Sequence, residues 1–252
     1  MGRFGAVSST RYSLTDALRG FALVNMLAFH FLYDFFVVCG DNYSWALQPW
    51  VVVWERFICI SFILISGISL NFSRHAYRRG LIVNACGLLI TVVTAVVMPE
   101  QIIIFGILNL IGCSMILTQA VRKWLEKLNP FAGAAASFAL FAFFYGVSNQ
   151  YVGFFDVSLL ELPDPLYRTN YFAAFGIHNS DFFSADYFPL FAWLFLFVCG
   201  FFLWRAVCML RWERFFKIKI PALDFIGRYT LWIYLIHQPL LMGVCFLIFG
   251  GI

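Results

Sequence analysis

Residues 16–38 read DALRGFALVNMLAFHFLYDFFVV. A bilayer core of about 30 Å takes roughly 20 helical residues to cross, so a predominantly apolar run of this length predicts a membrane-spanning helix. Periodicity of hydrophobes says little in a segment that is apolar all round. The informative signal is where ionisable groups sit despite their cost in lipid. At 100° per residue, Asp16, Arg19, His30, Tyr33 and Asp34 fall within an arc of roughly 100°, with Asn25 about opposite. Arg19 stands at one mouth of this stripe, His30 roughly 16 Å further along, and Asp34 one turn beyond. The i,i+4 spacing predicts that Asp34 touches His30. It would hold the imidazole in one tautomer and leave the other nitrogen free to take a proton or an acyl group. The same pair also suits interhelical hydrogen bonding, and both readings stand at this point.

The rest of the chain has the same character. Its 252 residues are 62% hydrophobic, 20% aromatic and only 12% charged, which excludes a soluble domain with a charged surface. Further apolar runs near spanning length occur at about 50–71, 80–98, 101–121, 131–148, 187–205 and 223–249, making seven with the first. Fifteen of the 17 Lys and Arg residues then fall on one side, leaving only Arg56 and Arg168. By the excess of basic residues in cytoplasmic loops, the N-terminus is expected inside and the C-terminus outside. Nine of the acids, among them Asp34, Glu55, Asp156 and Asp186, fall on or near the outer side. The net charge of +4 therefore serves orientation, and nucleic acid is set aside as a partner. The expected architecture is an all-α integral membrane bundle of about seven transmembrane helices in one domain, 1–252. A long extracytoplasmic loop, Asn149 to Asp186, precedes the sixth helix. The first run reaches Cys39 without a small-residue cleavage site, so a retained helix is expected rather than a signal peptide.

The seven cysteines are scattered through apolar runs without a C-x-x-C pair and read as small buried hydrophobes. No H-x-x-x-H or H-E-x-x-H spacing points to a metal, and no G-x-S-x-G, Walker or G-x-G-x-x-G motif is present. No internal repeat supports a transporter built from two related halves. Span seven places Thr230, Tyr234, His237 and Gln238 within an arc of about 100°, so a second mid-membrane histidine, just before a kink at Pro239, makes a shared polar cavity plausible. Span two aligns Glu55, Ser66, Ser69 and Ser73, with Gly67 allowing close helix approach; the serines read as packing. Glu55 beside Arg56 suits either an outer ion pair or a polar acceptor. His178-Asn179 and Ser184-Ala-Asp186-Tyr187-Phe-Pro189 stand in the long loop, whose length and aromatic content suggest function or a return onto the membrane. His75 lies among cytoplasmic arginines.

The opening Ser13-Leu-Thr-Asp16-Ala-Leu-Arg19-Gly20-Phe-Ala, continued by Met26-Leu-Ala-Phe-His30-Phe-Leu-Tyr33-Asp34, resembles that of bacterial membrane proteins grouped with the catalytic domain of heparan-α-glucosaminide N-acetyltransferase. Four further blocks follow in the same order: Phe62 to Ser69, Ile104 to Leu108, Asp186-Tyr187-Phe-Pro189-Leu-Phe, and Phe225 to Pro239. The resemblance covers nearly the whole chain and implies a multi-pass acyltransferase of the bacterial inner membrane. Such an enzyme takes acetyl from cytoplasmic acetyl-CoA, as co-substrate, and delivers it to an extracytoplasmic acceptor such as a sugar amine or hydroxyl.

On that implication Arg19, with Asp16 and Arg228 beside it, holds CoA at the inner face, and His30 meets the thioester. Asp34 orients His30, and His237 completes the catalytic set. Tyr33, Glu55, Asp186, Tyr187, Tyr234 and Gln238 form the acceptor side. In the lysosomal enzyme the active-site histidine follows the first span, so the role of His30 is implied by membrane acyltransferases that carry Arg and His on their first helix. Membrane lipid is a further expected partner, and a homodimer is left open. The competing reading is a proton-coupled small-molecule transporter with a His30, Asp34 and His237 relay.

Overall fold

The computed structural model describes residues 12–155 and 157–249, so Arg3, Arg11 and Asp156, used above to sort charge, lie outside the described residues. Six helices are long and apolar enough to cross a membrane: Ser13–Val38, Pro49–Leu70, Ala76–Val97, Pro130–Asn149, Leu190–Met209 and Thr230–Phe249. The chain divides into two compact units, Met1–Ile65 with Val207–Ile252, and Ser66–Ala206.

In the first unit, α1 (Ser13–Tyr33) continues without a break into a π-helical turn, Asp34–Val38. A short α2 (Tyr43–Ala46) follows, and α3 (Pro49–Leu70) begins directly after it. The expected single span at 223–249 is corrected to two helices, α8 (Pro221–Arg228) and α9 (Thr230–Phe249). The break falls at Tyr229, and the Thr230 hydroxyl donates to the Gly227 carbonyl at 2.8 Å, closing the end of α8. Glycine lets α8 lie against α1. A Cβ on Gly20 would strike the Leu223 carbonyl, and one on Gly227 would strike the Asp16 carbonyl. Small residues at such a crossing let two backbones approach closely.

In the second unit, α4 (Ala76–Val97) packs on α5 (Ile107–Leu125) through Gly80 and Gly112, where a Cβ on Gly112 would come within 2.8 Å of the Gly80 carbonyl. α5 stands where the fourth span was expected at 101–121, but it starts six residues later and ends on Arg122, Lys123, Trp124 and Leu125. Its 19 residues do not rank among the six long apolar helices. The apolar run Ile102–Ile104 is irregular instead, because its backbone is already committed. Ala185 N–H donates to the Ile102 carbonyl, Ile104 N–H to the Ser184 hydroxyl, and Phe188 N–H to the Phe105 carbonyl.

α6 (Pro130–Phe144) starts on Asn129, whose side chain accepts from the Phe131 and Ala132 N–H groups, with Pro130 at the first helical position. α7 (Leu190–Met209) buries Leu196, Phe197, Phe201 and Phe202, and a Cβ on Gly67 would meet the Phe197 carbonyl. The all-helical expectation is corrected in the long connection. Tyr151–Phe154 (β1) and Val157–Glu161 (β2) pair antiparallel as a hairpin, followed by 3₁₀ turns at Asp164–Tyr167 and Ala173–Phe175.

Candidate active site

The first unit brings two histidines together. α1 carries His30 and α9 carries His237, and their rings meet edge to face with centroids 4.9 Å apart and planes at 82°. Each ring is pinned by its own helix: His30 Nδ1 lies 3.0 Å from the Met26 carbonyl and His237 Nδ1 2.5 Å from the Tyr234 carbonyl. A carbonyl oxygen can only accept, so these bonds assign the proton of each neutral ring to Nδ1 and leave the lone pair on Nε2. His237 Nε2 is buried without a hydrogen-bond partner. The pair therefore presents two unprotonated ring nitrogens, the state a general base requires.

The expected hydrogen bond from His30 to Asp34 is corrected. Asp34, fully buried, accepts both bonds from the Gln238 amide nitrogen, at 2.9 and 3.1 Å. One local cause accounts for this. A helical side chain points back toward the N-terminus, which directs His30 to the carbonyl one turn behind it rather than to the residue one turn ahead. The carboxylate is thus a tie between α1 and α9 beside the histidines. Gln238 Oε1 remains buried and unpartnered.

Nearer the start of α1, Arg19 Nη1 lies 3.1 Å from Asp16 Oδ1 and 3.5 Å from the Gly227 carbonyl, so Asp16 and α8 together fix the guanidinium. Arg228, at the C-terminal end of α8, is exposed. Tyr33 stacks on Phe29 at 6.3 Å, and the Tyr234 ring lies 5.2 Å from that of His237. Glu55 and Arg56 approach to 3.9 Å with partly exposed side chains, a weak ion pair. Asn25, opposite the stripe, was assigned no role from the sequence. Its carbonyl oxygen accepts from the Trp54 indole at 3.0 Å and so ties α3 to α1. A lone amide in an apolar helix was the signal available for it.

Asp186 and Tyr187 belong to the second unit, where both hold backbone. Asp186 Oδ2 accepts from the Ile107 N–H at 3.1 Å, satisfying a donor at the first turn of α5, where Gly106 is the N-cap and lacks a side chain for the task. The Tyr187 hydroxyl donates to the Ala173 carbonyl, and burial pushes its phenol above the usual tyrosine range, so it stays protonated as that donor. His178 Nδ1 lies 3.0 Å from the Asn179 carbonyl, and its ring packs on Phe182 and Tyr187. Among the described residues no three His, Cys, Asp or Glu side chains gather as metal ligands would.

Residues 11–239 match the model of a protein family described as heparan-alpha-glucosaminide N-acetyltransferase, catalytic, a family of membrane acyltransferases. The matched span contains Arg19, His30, Asp34, His237 and Gln238. No curated protein and no solved structure matches the chain.

Proposed function

The chain belongs to the heparan-alpha-glucosaminide N-acetyltransferase catalytic family, a membrane acetyltransferase family with acetyl-CoA as donor, and on that premise we propose that the histidine pair is its transfer centre. The observation that carries the proposal is that His30 and His237 touch while both Nδ1 atoms are committed to backbone carbonyls. In this reading His30 takes the proton of the acceptor nucleophile through Nε2 as that nucleophile attacks the thioester carbonyl. The tetrahedral intermediate collapses by breaking the carbon–sulfur bond, and His30 returns the proton to the departing CoA sulfur. The neighbouring His237, with its own lone pair, favours the transient imidazolium. Gln238 and Asp34 hold α9 to α1 so that the two rings stay in register. Arg19, steadied by Asp16, and the exposed Arg228 receive the CoA phosphates.

The same proposal keeps the N-terminus on the cytoplasmic side of a bacterial inner membrane, counts α5 as the fourth of seven spans and treats the chain as one functional domain. The acceptor is an extracytoplasmic glycan presenting an amine or hydroxyl, and Glu55, Tyr33 and Tyr234 are proposed to serve its side of the reaction. The competing reading is a proton-coupled transporter with a relay of His30, Asp34 and His237, in which Asp34 would act through its partner Gln238.

The test is titration of acetyl-CoA, and of desulfo-CoA as a non-reactive donor analogue, into the detergent-purified protein by calorimetry. Transfer from radiolabelled acetyl-CoA to amino-sugar acceptors is measured in parallel. The proposal expects saturable binding that weakens in Arg19→Ala and survives in His30→Ala, with transfer lost in His30→Ala. A folded protein that binds neither donor at millimolar concentration would sink it.

A further inference from the structure

The hairpin in the second unit shows its apolar side chains to the outside. Val157, Leu159 and Leu160 on β2 are 61–63% exposed, and Phe154 and Phe155 at the turn are about half exposed. The register explains part of this. Val152 pairs with Leu160 and Gly153 with Ser158, so Leu159 is an extra residue on β2, and such a bulge re-aims side chains. Gly153 makes room for it, since a Cβ there would come 2.9 Å from Leu159 N and closer still to the Val157 carbonyl.

The hairpin also does not stand away from the helices. Phe155 N–H donates to the Ala142 carbonyl at 3.2 Å, the Phe155 ring lies 6.3 Å from Phe141, and the Phe154 ring lies 5.7 Å from Phe143. Its turn is thus folded back along the membrane-spanning helix Pro130–Asn149, short of that helix's end.

Depth follows from α7. Its 20 residues from Leu190 to Met209 measure about 30 Å, the thickness of the hydrocarbon core. The Phe141 ring packs 5.1 Å from Trp193, three residues or roughly 5 Å inside the start of α7. Phe154 and Phe155 therefore reach the level just inside the hydrocarbon edge. Its open end is polar, where Asn149, Gln150, Glu161 and Asp164 border a recess of about 350 Å³. A two-stranded ladder leaves outward-facing backbone groups unpaired, which is tolerable at the headgroup boundary and not deeper.

We propose that the Tyr151–Glu161 hairpin is an interfacial membrane anchor, its Phe154, Phe155, Val157, Leu159 and Leu160 side chains set among phospholipid acyl chains near the headgroups and its polar end in water. The occupant of this surface is lipid because the surface continues a membrane-spanning helix at the matching depth. Insertion of about 5–10 Å is the usual depth of an interfacial element. The inference stands apart from the acetyl-transfer chemistry.

The experiment attaches a nitroxide at Leu159→Cys and, separately, at Leu160→Cys, with Asp181→Cys as the solvent-exposed comparison. The full-length protein is placed in phosphatidylcholine–phosphatidylglycerol nanodiscs, and the spectrum of identically treated parent protein is subtracted. The anchor expects collision with dissolved oxygen to exceed collision with a water-soluble nickel chelate at both hairpin positions, and the reverse at residue 181. Nickel collisions dominating at Leu159→Cys and Leu160→Cys would place the hairpin in water and overturn the proposal. Dipolar broadening with low access to both reagents would assign the surface to a second copy and overturn it equally. Monodisperse elution of each labelled protein establishes that the readings come from folded chain.

Discussion

Replacing Gln238 by Leu removes both hydrogen bonds to Asp34 while keeping most of the side-chain volume. The carboxylate it abandons is fully buried. Interhelical hydrogen bonds between neutral groups in membrane bundles average about 0.6 kcal/mol, and an ionised partner roughly doubles that. The two bonds are therefore worth about 2–3 kcal/mol together. For a chain of this size that corresponds to a fall in melting temperature of roughly 5–10 °C. The partner substitution Asp34→Leu strands the Gln238 amide instead and should cost a similar amount. The decisive variant is the double one. Removing one partner of a buried pair costs far more than replacing both by apolar groups, so Asp34→Leu/Gln238→Leu should recover at least half of what Gln238→Leu loses. The assay is thermal unfolding of the four proteins in one detergent, followed by tryptophan fluorescence. If the two single effects simply add in the double variant, Asp34 and Gln238 do not interact, and the tie between α1 and α9 is wrong.

Further expectations concern chemistry and packing. His30→Ala should lower acetyl transfer by about 10²–10⁴-fold with the melting temperature within a few degrees of the parent, measured with radiolabelled acetyl-CoA; unchanged transfer would remove His30 from the chemistry. Gly227→Val should destabilise by about 1–3 kcal/mol or more, because its side chain would enter the Asp16 carbonyl, and a melting point equal to the parent's would refute the close α1–α8 crossing. Asp186→Ala should cost about 0.5–2 kcal/mol by stripping the donor-satisfying group from the first turn of α5. A purely structural Asp186 predicts that acceptor KM stays constant, whereas a rise in KM at unchanged melting temperature would return it to the acceptor side.

The first helix could be read almost in full from its residues, because a spanning length and a row of ionisable groups in lipid are both local facts. What the row touches was not local. Asp34 lies one turn from His30, but its partner is Gln238, 204 positions away, and only the tertiary fold decides between the two. The run Ile102–Ile104 misled for a related reason. It is as apolar as a helix start, and the bonds that keep it out of the helix come from Thr94 and, from far along the chain, Ser184 and Ala185. The hairpin escaped because apolar residues occupy both faces of β2, so the alternation that marks a half-buried strand is absent.

These cases bear on how the family's sequence blocks work. The blocks at Ser13–Asp34 and Phe225–Pro239 come together in the first unit through the Gly20–Gly227 crossing, the Arg19 contact with the Gly227 carbonyl, the histidine pair and the Asp34–Gln238 tie. The blocks at Ile104–Leu108 and Asp186–Phe191 come together in the second, where a carboxylate caps α5 and main-chain bonds stitch the two segments. Each pairing joins stretches far apart in sequence, and within each the polar residue of one block satisfies a group in the other. In this chain the physical unit is therefore the paired contact and not the single block. That distinction divides the candidate residues by the cost of losing them. Asp34, Gln238 and Asp186 hold backbone or side-chain partners and should report in stability. His30 and His237 spend only Nδ1 on the fold and keep Nε2 for chemistry, so they should report in rate.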